Sequence, residues 1–208
     1  MKLLLENWRK YLAEANIQSA TRLSIFDFDE TIAYAEGYID VYEKGTTREE
    51  RTGPESEKFV KRIPTREYDE IKVAGDYDYD FDALDQIEDP QEVESITNIM
   101  RSHIKDSQTQ VMILTARAPA VEDDIHRYLA TLERPIDTSE VYVKGVAGEN
   151  KGQYILSVLQ EFPNITSVEF YDDSTENIKD MLAAKQRAQN ISAFDIYHVT
   201  AGTINLVK

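Results

Sequence analysis

The 208-residue chain contains no cysteine, and this absence removes several kinds of chemistry at once. Disulfide bonds, thiolate nucleophiles and cysteine-based zinc sites all require that residue. The chain also lacks any apolar run close to the roughly 18 residues that a membrane-spanning helix needs. We therefore expect no membrane partner, and the composition is compatible with a reducing compartment such as the cytoplasm.

Positive charge is scarce. The chain has 23 Lys and Arg residues against 39 Asp and Glu residues, which gives a formal net charge of −16. Tight, sequence-independent binding to a nucleic acid backbone depends on Lys and Arg that neutralise phosphates. We expect no stable binding to a duplex, although the end of a nucleic acid remains a candidate substrate. The length and the 41% hydrophobic content predict one globular domain that has room for an insertion.

The most informative segment is Asp27-Phe28-Asp29-Glu30-Thr31, which directly follows the apolar run Leu23-Ser24-Ile25-Phe26. The run predicts a buried strand, so the two carboxylates stand where that strand ends. Aspartate can form an aspartyl-phosphate, and Mg²⁺ prefers one or two carboxylates together with phosphate oxygens and water. The same Asp-x-Asp pattern is common in acidic loops. This chain also carries Asp78-Tyr79-Asp80-Phe81-Asp82, which looks similar but lacks the preceding buried strand.

Strands and helices alternate along most of the chain. Hydrophobic periodicity predicts further strands at 110–114, 140–143, 167–171 and 193–199, and helices at 92–103, 120–132, 151–160 and 175–188. Such alternation predicts an α/β protein with a Rossmann-like parallel sheet and helices on both faces. We assign residues 19–34 and 91–208 to this core. Residues 35–90, which are acidic and rich in Tyr, read as an inserted small cap or lid.

Acid or hydroxyl clusters follow three of the predicted strands. They are Asp27 to Thr31, Thr115-Ala116-Arg117 and Asp172-Asp173-Ser174. Ligands of open α/β sheets bind beyond the carboxyl ends of the strands. Each cluster alone would also suit a solvated loop or a helix cap, but together they predict one site.

At these positions the chain resembles the haloacid dehalogenase superfamily of aspartate-nucleophile phosphohydrolases. The resemblance covers about residues 21–200 without the insertion, and it rests on four short motifs in the expected order. These are the segment from Asp27 to Thr31, Ile113 to Arg117, Lys151, and Tyr171 to Asn177.

The resemblance implies a role for each matching position. Asp27 would attack phosphorus, and Asp29 would protonate the leaving alcohol and later deprotonate water. Thr115, Lys151, Thr31, Ala116 and Arg117 would hold the substrate, with Thr115 and Lys151 next to the reacting phosphoryl group. Mg²⁺ would be bound by Asp27, the backbone carbonyl of Asp29, Asp173 as the principal acid of the fourth motif, and Asp172.

Two assignments stay open. Lys144 also follows a predicted strand, but we prefer Lys151 because it opens the helix before the strand that delivers Asp172. Thr-x-Arg is similar to the pattern in polynucleotide 3′-phosphatases and related RNA-repair phosphatases, in which Arg suits bidentate phosphate recognition. Alternatively, Arg117 pairs with an acid of the insertion.

The N-terminal residues 1–18 carry apolar residues at helical spacing and predict an amphipathic helix. Its apolar face needs a partner in the same domain, in an oligomer or in a docking interaction. Leu12-Ala13-Glu14 followed by Ala15 resembles the processing site in capsid-targeting peptides of large tailed phages. That resemblance implies a phage-encoded protein, located in the host cytoplasm or packaged in the virion.

These observations favour a Mg²⁺-dependent phosphomonoesterase that acts on a small phosphorylated substrate, such as a nucleotide, or on a nucleic acid 3′-phosphate. The alternative is a binding or virion-associated protein that keeps the fold without turnover. The sequence leaves the oligomeric state undetermined.

Overall fold

A computed structural model describes residues 17–64, 67, 77–80, 87–147 and 149–207. The chain divides into two compact units, one that holds the described residues up to Tyr34 and from Gln91 onward, and one that runs from Ala35 to Pro90. The predicted helix at 1–18 falls, except for its last two positions, outside the described residues. The segment from Leu12 to Ala15 that resembles a processing site is also outside them.

The strands and helices predicted for the core occur in the predicted order, and further strands lie between residues 33 and 92 and at 203–207. In chain order, the elements are β1 (Arg22–Phe26), β2 (Ala33–Glu36), β3 (Tyr38–Glu43), β4 (Phe59–Pro64), β5 (Tyr77–Asp80), β6 (Glu88–Glu92), α1 (Glu94–Ile104), β7 (Thr109–Thr115), α2 (Glu122–Thr131), β8 (Val141–Gly145), α3 (Lys151–Glu161), β9 (Ser167–Asp172), α4 (Thr175–Arg187), β10 (Ala193–Thr200) and β11 (Thr203–Val207).

The first unit is built on a six-stranded sheet in the order β11-β10-β9-β1-β7-β8. Strands β1, β7, β8, β9 and β10 are parallel, and β11 pairs antiparallel with β10. The fold is therefore α/β with a mostly parallel sheet, which confirms the predicted class at that level. Strand β1 lies between β9 and β7, so its carboxyl end is near the middle of the sheet edge at which the parallel strands end.

Helices cover both faces of this sheet. Because side chains alternate along a strand, Leu23 and Ile25 face one way, where they share a buried cluster with apolar residues of α3 and α4. Ser24 faces the other way, and its Oγ lies 2.7 Å from Nδ1 of His103 in α1. Apolar burial on each side, worth roughly 25 cal/mol per Å², thus fixes β1 in the centre of the core.

The antiparallel edge strand β11 differs from the all-parallel sheet that the alternating pattern predicts. The turn between β10 and β11 consists of Ala201 and Gly202, whose φ angles are 46° and 73°. Two successive positive φ values are the signature of a type I′ hairpin turn, which usually carries Asn-Gly or Gly-Gly. Because Ala201 occupies the first position in place of Asn or Gly, the turn residues do not predict this hairpin.

The second unit contains a three-stranded antiparallel sheet in the order β4-β3-β5. Ile39, Val41 and Ile63 form its small buried cluster, and Tyr77 and Tyr79 pack against them. Both carboxylate oxygens of the buried Asp40 accept hydrogen bonds from Arg62, at 2.7 and 2.9 Å. Strands β2 and β6, at which the chain passes from one unit to the other, pair with each other.

Among the described residues, no helix is both long enough and apolar enough to cross a membrane.

Candidate active site

The site lies where three neighbouring parallel strands end. Phe26, the last residue of β1, is in register with Ile113 of β7 and Tyr171 of β9. The backbone N–H of the next residue, Asp27, donates to the Tyr171 carbonyl at 2.8 Å. Asp27 therefore lies beside the end of β9, whose last residue is Asp172. The three clusters that the sequence singles out therefore emerge at adjacent strand ends.

Three carboxylates gather at this edge. Asp27, Asp172 and Asp173 each offer an oxygen, and these oxygens lie within 4.8 Å of one another. Asp27 is 5% exposed and Asp172 is fully buried. Clustered carboxylate oxygens are the donors that hard cations such as Mg²⁺ prefer, so the residues fit a divalent cation. The Asp29 carboxylate is not a member of this group.

Lys151 is the lysine of the site. Its ammonium lies 2.5 Å from Oδ1 of Asp27 and 2.7 Å from Oδ2 of Asp172, and the residue is 1% exposed. Lys144 instead lies 3.3 Å from Glu122 in a partly exposed pair. The preference for Lys151 over Lys144 thus agrees with the geometry, because only Lys151 joins the acidic cluster.

The start of α3 places Lys151. Asn150 caps the helix, because its Oδ1 accepts a hydrogen bond from the backbone N–H of Gln153 at 2.8 Å. Gly152 lets this end approach α4 closely, since a Cβ there would stand 2.5 Å from the backbone carbonyl oxygen of Asp180. A larger residue at 152 would push the helix end, and Lys151 with it, away from α4.

The two acids of the fourth motif have different surroundings. Asp172 accepts hydrogen bonds from Lys151, from the backbone N–H of Ser174 at 2.9 Å, and from Nδ2 of Asn177, which lies 3.1 Å from each carboxylate oxygen. Within the described part of the chain, no side chain donates to the Asp173 carboxylate. Asp172 is therefore held by side-chain and backbone donors of other residues, whereas the Asp173 carboxylate accepts a hydrogen bond from its own backbone N–H.

His198 also lies at this edge, although it belongs to none of the sequence motifs described above. Its Nε2 lies 2.8 Å from the backbone carbonyl of Asp173, so a protonated Nε2 donates to that oxygen. His198 belongs to β10, and it is in register with Asp172 of the neighbouring strand β9. The only available sequence signal was its position near the end of the last predicted strand.

Burial and like charges shift the protonation of the cluster. Burial is the main cause that raises the pKa of Asp27 from 3.8 to about 7, although Lys151 opposes that shift. Burial also raises the pKa of Asp173 to about 9, with Asp27 and Asp172 adding to the effect. The Lys151 pKa rises as well, because its two carboxylate partners outweigh the effect of burial. A bound cation would favour the ionised form of both shifted acids.

Asp29 faces a different partner, the buried Arg117 of the loop after β7. The guanidinium donates from Nη2 to Oδ1 at 2.7 Å and from Nε to Oδ2 at 2.9 Å. The Arg117 side chain has no exposed area, and that of Asp29 is 20% exposed. The arginine of the Thr-x-Arg segment thus engages an acid of the first motif.

The remaining predicted site residues are two threonines and one alanine. Thr115 is buried, and its Oγ1 accepts a hydrogen bond from the backbone N–H of Arg117 at 3.2 Å. Thr31 is also buried, and its Oγ1 has no hydrogen-bond partner among the described residues. Ala116 is exposed at the start of the loop after β7. Thr115 is the last residue of β7 and Ala116 follows it directly, whereas Thr31 lies in the turn after β1.

The fold and the site together define an α/β protein with an acidic, lysine-containing cluster at the carboxyl edge of its sheet. A crystal structure of the Legionella pneumophila effector Ceg4 with an N-terminal yeast Hog1p sequence is similar, with a TM-score of 0.51 and 17% identity over 89% of this chain and 90% of that one. A second Ceg4 structure, with an N-terminal TEV protease cleavage sequence, has a TM-score of 0.46 and 14% identity over 86% of each chain.

The first of these similarities, at low identity, shows a shared fold. No protein-family model matches the chain, and no curated protein matches it.

Proposed function

We propose that this protein is a Mg²⁺-dependent phosphomonoesterase of the haloacid dehalogenase type. The observation that carries the proposal is the meeting of Asp27, Lys151, Asp172 and Asp173 at one sheet edge. The two carboxylate partners of Lys151 are Asp27 and Asp172, which lie 124 and 21 positions away from it in the chain. An ordinary acidic surface loop would not bury a lysine between two carboxylates, because burying charges is costly unless they are paired.

Asp27 is suited to the role of nucleophile. Lys151 engages only its Oδ1, and among the described residues no donor reaches Oδ2. This second oxygen is free to attack phosphorus, forming an Asp27–phosphorus bond as the bond to the leaving alcohol breaks. Lys151 would then lie beside the phosphoryl oxygens, where its charge stabilises the negative charge that they carry.

Asp29 supplies the proton chemistry in this proposal. It gives a proton to the leaving alcohol in the first half-reaction and takes one from water in the second, when the aspartyl-phosphate is hydrolysed. Thr115 and the amide of Ala116 would contact the other phosphoryl oxygens. The Thr31 hydroxyl, which has no hydrogen-bond partner among the described residues, lies in the same turn after β1 as Asp29.

Mg²⁺ fits the donor set of the site. Asp27 and Asp173 would hold it through carboxylate oxygens, with the backbone carbonyl of Asp29 and with Asp172 close by. When bound, the cation supplies positive charge that neutralises the phosphate and the two acids with raised pKa values.

We further infer that residues 35–90 act as a small cap. Two features support this inference: the chain enters this unit only six residues after Asp29, and the unit has its own sheet and buried cluster. A cap that limits the access of water would protect an acyl-phosphate from uncontrolled hydrolysis. Nucleotides and nucleic acid 3′-phosphates remain the candidate substrates.

Hydrolysis of p-nitrophenyl phosphate tests the proposal. We expect turnover with Mg²⁺, none with EDTA, and a loss of at least about 10³-fold in Asp27→Asn, because the nucleophile is removed. Asp106→Asn, which changes an acid far from the cluster in sequence and keeps a hydrogen-bonding side chain, is the matched control and should retain activity.

A screen of phosphomonoesters that includes 3′-phosphorylated oligonucleotides would define the substrate. If no phosphoester is turned over while a phosphorylated ligand still binds, the protein is a binding or virion-associated protein with this fold. That outcome would refute the enzymatic proposal.

A further inference from the structure

In the Asp29–Arg117 pair, the guanidinium fixes the orientation of the Asp29 carboxylate. Two guanidinium nitrogens donate to the two oxygens of Asp29, at 2.7 Å to Oδ1 and 2.9 Å to Oδ2. This fork-to-fork arrangement fixes the plane of the carboxylate as well as its position. A lysine, which is a point charge, would fix the position alone.

The backbone around Arg117 is itself fixed on both sides. Its N–H donates to Oγ1 of Thr115 at 3.2 Å, and its carbonyl accepts from the N–H of Ala147 at 3.0 Å. Gly145 makes room for this loop, because a Cβ there would stand 2.7 Å from the Arg117 carbonyl oxygen. The arginine thus has little freedom to move as a whole.

Arg117 also contacts the residue between the two first-motif acids. The centre of its guanidinium lies 5.8 Å from the centroid of the Phe28 ring, which is fully buried and makes an edge contact with Tyr128. One side chain therefore holds the turn after β1 through a cation–π contact and through the Asp29 carboxylate. Asp29 and Arg117 are 88 positions apart in the chain, so their contact forms only when the core is folded.

We propose that Arg117 is a positioning residue that acts through Asp29 and does not bind the phosphoryl group itself. The proposal rests on the proposed function, in which Asp29 protonates the leaving group. Arg117 holds the Asp29 carboxylate in the orientation from which the proton is transferred. Its loss therefore lowers turnover most for substrates whose leaving group needs a proton.

A double-mutant cycle tests this assignment. Arg117→Met and Asp29→Asn are made singly and together, and kcat is measured with Mg²⁺ on an alkyl phosphate. We expect a loss of roughly 10²-fold from each single variant, since general acid catalysis contributes about that much or more. The double variant should be no slower than Asp29→Asn by more than about threefold, because the Asp29 carboxylate that Arg117 positions is already absent in both variants.

Comparison of leaving groups gives an independent readout. Nitrophenolate leaves without a proton, so Arg117→Met should slow p-nitrophenyl phosphate far less than the alkyl ester. Arg117→Lys, which keeps the charge but loses the fork, should behave like Arg117→Met. Arg101→Lys is the control, because it shortens another arginine that pairs with a carboxylate, Glu92, at 2.9 Å, and it should leave both rates unchanged.

Direct phosphate binding by Arg117 would give a different result. Equal losses on both substrates, multiplied losses in the double variant, or retained activity in Arg117→Lys would each overturn the proposal. If Arg117→Met does not fold, the leaving-group comparison in Arg117→Lys decides. A wild-type protein with no turnover would instead refute the proposed function, and the positioning role with it.

Discussion

The ammonium of Lys151 lies 2.5 Å from the carboxylate of Asp27, although 124 residues separate them in the chain. Both groups are almost completely buried, and Lys151 also bonds the fully buried Asp172. The lysine therefore neutralises part of an acidic cluster that would otherwise repel itself. Its structural and its proposed chemical roles are separable by experiment.

Removal of this lysine should destabilise the metal-free protein. Lys151→Met leaves buried carboxylates without their cation, and breaking a buried pair in this way costs about 3–5 kcal/mol. Urea unfolding in EDTA measures the loss. Lys144→Met is the control, because its pair with Glu122 is partly exposed and contributes no more than about 1 kcal/mol. Equal losses in the two variants would contradict the assignment of Lys151 to the cluster.

The metal-free protein should lose stability as the pH rises. Asp27 and Asp173 have pKa values of about 7 and about 9 in the folded state, against 3.8 for the unperturbed group. Above pH 4 the folded protein thus keeps protons that the unfolded chain has released, so unfolding releases protons and stability falls between about pH 4 and pH 9.

Thermal unfolding in EDTA from pH 5 to pH 9 measures this dependence. Each kcal/mol corresponds to about 2–4 °C in Tm for a protein of this size. Asp173→Asn should give a flatter slope, because it removes the group with the larger shift. An unchanged slope in that variant would show that Asp173 does not hold a proton in the folded state.

Binding of Mg²⁺ should release protons. Near pH 7.5 the Asp173 carboxyl is protonated in the metal-free protein, and a cation at the cluster requires the ionised form. Isothermal titration calorimetry in buffers of different ionisation enthalpy counts the protons. Asp173→Asn should bind Mg²⁺ at least about tenfold more weakly and release fewer protons, while Glu161→Gln, an exposed change in α3, should match the wild type. Proton-neutral binding would contradict the assigned site.

Replacement of Thr31 by valine separates stability from activity. The Thr31 hydroxyl is buried, and no described residue forms a hydrogen bond with it. A buried polar group without a partner costs about 1–3 kcal/mol. Thr31→Val keeps the shape and removes the polar atom, so the free energy of unfolding should rise by roughly 1 kcal/mol. If the hydroxyl contacts substrate as proposed, kcat/KM for a phosphomonoester should fall at the same time. Lower stability in the valine variant would reveal a bond that the hydroxyl makes in solution.

The sequence predicted the α/β class and the strand ends well, because both follow from local patterns. Apolar runs marked β1, β7 and β9, and the polar residues that follow them had to emerge at one edge of a parallel sheet. Lys151 could be preferred over Lys144 because its distance from Asp172 suits one helix and one strand. These inferences need only the order and the length of elements.

Contacts between distant side chains could not be predicted in the same way. The bond from Arg117 to Asp29 depends on the path of a loop that is shaped by the close approach of Gly145. The hydrogen bond between His198 and the Asp173 carbonyl depends on the register between β9 and β10. The pairing of β11 with β10 depends on a hairpin turn that has an alanine, Ala201, at a position of positive φ. Each feature arises from packing or from a backbone conformation that carries a weak sequence signal.

The pairing of β2 with β6 has a consequence for how this protein can vary. The chain leaves the core and returns to it through two neighbouring strands, so the entropy of closing the gap depends little on how many residues lie between them. We therefore expect the segment in between to tolerate replacement by a short hairpin or by a small domain of another protein, with the order of the strands in the core sheet unchanged.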